Sequence, residues 1–235
     1  MLFDQCPALF KERYLDGVPL VETEVMAFGK AVHLGLEQHF RGGDGERAFR
    51  AAWKQFPATN STLTGVGLTL LDKVFELQLS GEPERWFSLD TDELGAPTVG
   101  AVDLWDQVNH VVYDFKTTIG AWSQARAERE VWQPVLYTWA FVDVTDELPD
   151  FEYIVLNRAT RALDRFHRKW TPDGYFEQMS LAWGRMRTIA VMVSADVLAC
   201  HEQHGFCPEC GGRWAHDHVC DTGTTERIRL RKERS

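Results

Sequence analysis

Positive charge is what this 235-residue chain has least of. Its 25 Lys and Arg stand against 35 Asp and Glu, giving a net charge of −10 and a sequence pI near 5.3. A broad basic face for nucleic acid is therefore not expected; any polyanion must enter a narrow channel. Long apolar runs are missing too. No stretch of 18 apolar residues exists, so no membrane span is predicted. The start, MLFDQCPALFKERY, carries charges and a proline where a secretory signal needs its apolar stretch, and the expectation is a soluble, intracellular protein. There are no internal repeats, no low-complexity linker and no Walker A motif, so any ATP-driven motor must be a separate chain. Cysteine is scarce over most of the length: Cys6 stands alone, and the next is Cys200, followed by Cys207, Cys210 and Cys220. Five thiols, four of them crowded at one end, argue against a disulfide framework and for a metal site or free thiols.

Hydrophobic residues, at 44%, suffice for a sizeable core. Helical spacing of apolar groups marks residues 3–15, 24–41, 46–56 and 63–79. Then the texture changes. ERWFSLD (84–90), PTVGAVDLWDQ (97–107) and HVVYDFKTT (110–118) are short, β-branched and aromatic, and read as consecutive antiparallel strands. Residues 123–143 return to helix, which Pro134 must kink or restart. FEYIVLN (151–157) and LDRFHRKW (163–170) are two more strands, and 171–199 is a long helix opened by Thr171-Pro172-Asp173. The order predicts an α/β fold: a central mixed sheet flanked by helices, a helical N-terminal portion and a C-terminal Cys-rich metal segment.

Asp103 lies on the second strand, Asp114 and Lys116 on the third. Pairing through the turn near Gln107–Asn109 brings all three to one end of the sheet. Two carboxylates held together repel, and a cation between them removes the conflict. Hard oxygen ligands suit Mg²⁺ or Mn²⁺. A lysine beside them can position water and offset charge on a phosphate. The plainer alternative is a buried Asp114–Lys116 ion pair with an unrelated Asp103. By the same token His33, on an apolar helix stripe, reads as a satisfied core histidine, and Tyr137 as core.

GAVD (100–103), DFK (114–116) and QPVLY (133–137), preceded by GKAVH (29–33) and CPALFKERY (6–14), resemble in order and spacing the motifs of the PD-(D/E)XK nuclease superfamily, in its RecB-like branch. The resemblance covers residues 3–142. It implies a restriction-endonuclease-like core and a metal-dependent DNA exonuclease acting on single-stranded or frayed ends. Asp103, Asp114, the Phe115 carbonyl and His33 would hold Mg²⁺ or Mn²⁺. Lys116 would orient the water, and Gln133 and Tyr137, one turn apart, would brace the site or touch the DNA backbone. Glu84 and Glu37 are further acidic candidates. The implied settings are recombination, phage DNA processing or CRISPR spacer acquisition, in the cytoplasm of a prokaryotic or phage-infected cell, with a helicase or integrase as partner. The alternative is a catalytically weak DNA-binding or assembly subunit of the same fold.

In that branch an iron–sulfur cluster commonly ties one N-terminal cysteine to three near the C-terminus, which implies a [4Fe–4S] centre on Cys6, Cys207, Cys210 and Cys220. CPECGG also has the form of a zinc knuckle, which His216, His218 and Cys220 would complete, with Cys200 a further option. The expected organisation is a nuclease domain at 1–199 (helical to about residue 80, sheet core from about 81), a Cys-rich segment at 200–222 and a basic tail at 223–235.

Overall fold

The computed structural model describes residues 10–195, except 20–21, 57–60, 90, 92–93, 96 and 146. Cys6, the cysteine and histidine cluster at 200–220 and the basic tail lie outside the described residues.

Glu22–Ala182 form one compact unit. It opens with three helices, α1 (Glu24–Phe40), α2 (Gly45–Trp53) and α3 (Ser61–Phe75). Thr23 caps α1 by accepting from the Met26 amide, and Asp44 caps α2 through the Arg47 amide. Between them Gly42 takes a φ of +79°, a conformation open to glycine without strain. Phe28 on α1 meets Phe49 and Trp53 of α2 edge-on, at centroid separations of 6.1 and 5.7 Å. α3 ends four residues before its apolar pattern does. Gln78 turns to φ +51°, and Leu77 and Leu79 pack against the core from the turn rather than from a helix.

Five strands follow the expected sequence order: β1 (Glu82–Leu89), β2 (Thr98–Asp106), β3 (Val111–Thr118), β4 (Asp150–Asn157) and β5 (Leu163–Arg168). Neighbours are antiparallel except β3 and β4, which run parallel. A parallel pair needs a crossover, supplied by α4 (Gln124–Arg129) and α5 (Trp132–Thr145). Pro134 marks a restart: the helix breaks at 130–131, and the proline falls in the first turn of α5, where a missing N–H forfeits no helical bond. α6 (Pro172–Ser194) follows β5.

The central strands β3 and β4 are buried on both faces. Tyr113, Phe115, Ile154 and Leu156 join the core built by α1–α3. Val112, Phe151, Tyr153 and Val155 join the core that Phe141 and Tyr137 of α5 cover. This strict alternation is the period of two that pleating imposes. β1 and β2 break it together. Leu104 packs on the α1 side and Val102, two residues back, on the α5 side. The register, Pro83 with Leu104 and Arg85 with Val102, leaves Glu84 across from Asp103 at the break. Glu84 has a φ of +50°, left-handed for a residue with a Cβ, at a cost of about 1–3 kcal/mol.

A second unit, Met1–Val21 with Trp183–Ser235, contains a π-helical turn at Lys11–Leu15 and the last turns of α6.

Candidate active site

α1 presents His33 at the border of its buried stripe. Ala27, Phe28, Ala31, Val32 and Leu36 are sunk in the core, whereas the His33 side chain keeps 32% of its surface exposed. Gly29, one turn earlier, lets the helix approach the sheet. A Cβ there would stand 3.0 Å from Thr117 Oγ1, at the end of the strand that carries Asp114 and Lys116. The glycine of GKAVH thus brings the histidine down onto β3.

Asp103 joins three elements. Its Oδ1 lies 3.2 Å from His33 Nδ1, and its Oδ2 accepts from the Phe115 amide at 2.7 Å. The β2–β3 ladder runs from Asp106 and Val111 through Leu104 and Tyr113 and stops. Beyond that point a side-chain carboxylate takes a backbone amide, and the strands part around the acidic groups. At the other end of the hairpin Asp106 Oδ1 accepts from the amides of Val108 and Asn109 at 3.0 Å each, fixing the turn.

Glu84 comes from the break in β1. His33, Glu84 and Asp103 each offer a ligand atom, all within 4.8 Å of one another. Like charges facing each other across two strands are destabilising, and here one of them also carries backbone strain. Glu84 borders a cavity of about 540 Å³ with Gly29, Lys30, His33, Leu34 and Glu37 of α1. Glu37, the other acidic candidate, is engaged by Arg41 Nε at 3.0 Å.

Asp114 is 1% exposed. Lys116 Nζ stands 2.5 Å from its Oδ2, a close ion pair. The ammonium also lies 5.8 Å from the centre of the Tyr153 ring. Phe115 points its ring to the other face, stacked 5.9 Å from Phe40. One turn apart on α5, Gln133 Nε2 donates to the Tyr137 hydroxyl at 3.2 Å.

Burial pushes the Asp114 carboxyl up to about 6, with the charge of Asp103 adding to it and Lys116 opposing. Asp103 behaves oppositely. Burial raises it, but His33, Lys116 and the Phe115 amide together hold it below the usual carboxylate range. For His33 burial favours the neutral ring; Asp103 and Asp114 outweigh that and raise it. Glu84 is raised by burial and by Asp103 and Glu37. The Tyr137 hydroxyl is raised by burial and by the charge of Asp114, which places that hydroxyl in the field of the acidic group. Two carboxylates pushed in opposite directions within one cluster is the electrostatic pattern of a functional site.

The donors fit a small divalent cation. One imidazole and several carboxylate oxygens converge, a hard set that suits Mg²⁺ or Mn²⁺. The structure therefore brings together His33, Asp103, Asp114, Phe115 and Lys116, adds Glu84 from the break in β1, and sets Gln133 and Tyr137 beside them.

The sequence profile of the PD-(D/E)XK nuclease superfamily matches residues 1–214. The chain belongs to that superfamily. No curated protein sequence matches it. Among solved structures, a protein of Eubacterium rectale described as "Putative exonuclease" superposes with a TM-score of 0.58 at 13% identity, over 79% of this chain and 74% of that one. That likeness is one of fold. The structure of SSO0001 overlaps at a TM-score of 0.36 and 15% identity, over 82% of this chain and 87% of that one, too low to carry an argument. The nuclease fold thus has its acidic cluster where the β2–β3 ladder opens. Among the described residues no helix is long and apolar enough to cross a membrane.

Proposed function

We propose that this nuclease is a metal-dependent deoxyribonuclease working as an exonuclease on single-stranded or frayed DNA ends. The observation that carries the proposal is the convergence of His33, Glu84 and Asp103 within 4.8 Å, beside a buried Asp114 that Lys116 alone pairs. His33, Asp103, Asp114 and the Phe115 carbonyl would hold Mg²⁺ or Mn²⁺, with Glu84 as an added ligand. Such an ion supplies Lewis acidity toward a phosphoryl oxygen and eases removal of a proton from water.

The chain's own groups do the rest. Lys116 keeps 28% of its side chain exposed. It orients the attacking water and offsets the charge that builds on the phosphate. The water oxygen forms the new P–O bond, the bond to the leaving sugar oxygen breaks, and that oxygen takes up a proton. Tyr137, kept protonated by burial and held by Gln133, would donate to a phosphate oxygen. Packing on both faces of the sheet holds these groups in position and keeps water from screening them.

The test is digestion of end-labelled single- and double-stranded DNA with Mg²⁺ or Mn²⁺, wild type beside Asp114→Ala and Lys116→Ala. Metal-dependent shortening from an end, lost in both variants, is expected. DNA cut equally well by Lys116→Ala rejects the catalytic assignment.

A further inference from the structure

We propose that Trp86 is a stacking platform for an unpaired nucleobase next to the acidic cluster. This inference rests on the nuclease reading above and narrows its substrate to DNA whose bases are unpaired at the point of cleavage.

Trp86 is 71% exposed, and it is the one exposed tryptophan among the described residues. Its place on the sheet follows from its neighbours. Phe87 packs on the α5 side, 5.9 Å from the Tyr137 ring. Pleating then sends Trp86 to the opposite side, that of α1, where Glu84 borders the cavity with His33. Two residues along a strand span about 6.6 Å, so the indole sits within one nucleotide's reach of Glu84. Among the described residues nothing covers it. β1 is an edge strand. The cross-strand partner of Trp86 is Ala101, which has only a methyl group, and the next residue on that side of β2 is Val99, itself 60% exposed.

Charge explains why a stack is needed. Two cations of α1 near the cavity are already matched by carboxylates: Lys30 with Glu22 at 2.6 Å and Arg41 with Glu37 at 3.0 Å. A net charge of −10 disfavours a grip made chiefly on phosphates. A base stacked on an aromatic ring binds without cations, and it does so only when the base is out of a duplex.

The experiment is fluorescence anisotropy of a labelled oligothymidylate and of a matched duplex with the full chain in EDTA, where no cleavage occurs. Trp86→Ala is expected to weaken single-strand binding by about 5- to 150-fold, to leave duplex binding unchanged, and to be largely rescued by Trp86→Phe. An abasic nucleotide moved along the strand should weaken wild-type binding at one position and leave Trp86→Ala binding unaffected there. Single-strand binding equal in Trp86→Ala and wild type overturns the platform, as does an abasic profile that is the same in both. Cleavage is scored separately in Mn²⁺. Wild type that shows the abasic coupling but cuts no DNA supports the platform and sinks the nuclease reading. Wild type that cuts DNA without the coupling sinks the platform alone.

Discussion

Replacing Asp114 by Asn should make the metal-free protein more stable at pH 7 while removing its nuclease activity. The carboxyl is 1% exposed, and its pKa is raised from 3.8 to about 6. At 1.36 kcal/mol per pH unit, ionised Asp114 costs the folded state about 3 kcal/mol relative to the unfolded chain. The attraction of Lys116 is already contained in that balance, because it is one of the opposing causes of the raised pKa. An amide of nearly the same shape carries no charge to desolvate, so the gain should be about 1–3 kcal/mol, the lower figure applying if the amide N–H groups find no acceptor. The sign of the pH dependence follows. A carboxyl raised in the folded state stabilises it below the unfolded value, and that contribution disappears as pH climbs through about 6. The advantage of Asp114→Asn should therefore be full above pH 6 and vanish toward pH 4. Urea denaturation in EDTA at several pH values measures it. In Mn²⁺ the order should reverse, since wild type gains the binding energy, about 4.1 kcal/mol at a concentration 1,000 times the Kd. An Asp114→Asn protein less stable than wild type at pH 7 without metal would refute the reasoning: the ion pair with Lys116 would then be a net structural support.

Lys116→Ala should reduce the rate by about 10²- to 10⁴-fold with little change in single-strand affinity in EDTA; single-turnover cleavage beside anisotropy separates the two effects. Gly29→Ala pushes a methyl toward Thr117 Oγ1 at 3.0 Å and should cost about 1–3 kcal/mol, with activity returning in Gly29→Ala/Thr117→Ala. A double variant no better than Gly29→Ala alone would place the strain elsewhere. Glu84→Gln should lower Mn²⁺ affinity, read by calorimetry, while raising metal-free stability, since it removes one of two facing acids. Anaerobically purified protein should be brown with broad visible absorption, lost in Cys207→Ala, if Cys6, Cys207, Cys210 and Cys220 hold a [4Fe–4S] centre; colourless protein containing zinc would reject that assignment.

The parts of the fold legible in the sequence were those set by short-range periodicity. The strands of β2 and β3 were marked by β-branched residues flanking a turn, and α1 by an apolar stripe closed by GGDG. Pro134 announced the restart of α5, because a proline is compatible with a first turn and not with an interior. The cluster of Asp103, Asp114 and Lys116 was legible for a related reason: hairpin register alone brings those positions to one end of the sheet. What stayed hidden depends on breaks in periodicity. α3 stops at Phe75 although its apolar pattern runs on to Leu79, because Gln78 adopts a left-handed turn that no local signal demands.

Glu84 is the instructive case, since strict alternation counted from Pro83 and Leu104 would have faced it, with Asp103, away from His33. Pro83 and Leu104 pack on the α1 side, so an unbroken pleat would send the next residue of each strand to the α5 side. The φ of +50° at Glu84 marks the break that lets both acids share the α1 side with Leu104. A strained backbone and two facing carboxylates are each unfavourable; His33 and Lys116 ease the charge of Asp103, while Glu84 stays raised. A divalent cation offsets both, by neutralising the charge and fixing the conformation that the charge alone opposes. Metal binding should therefore be coupled to local order in β1. Amide hydrogen exchange at Arg85 and Trp86 should slow on adding Mn²⁺ in wild type and not in Glu84→Gln. Exchange that is already slow without metal, and unchanged by it, would mean that packing alone holds the break.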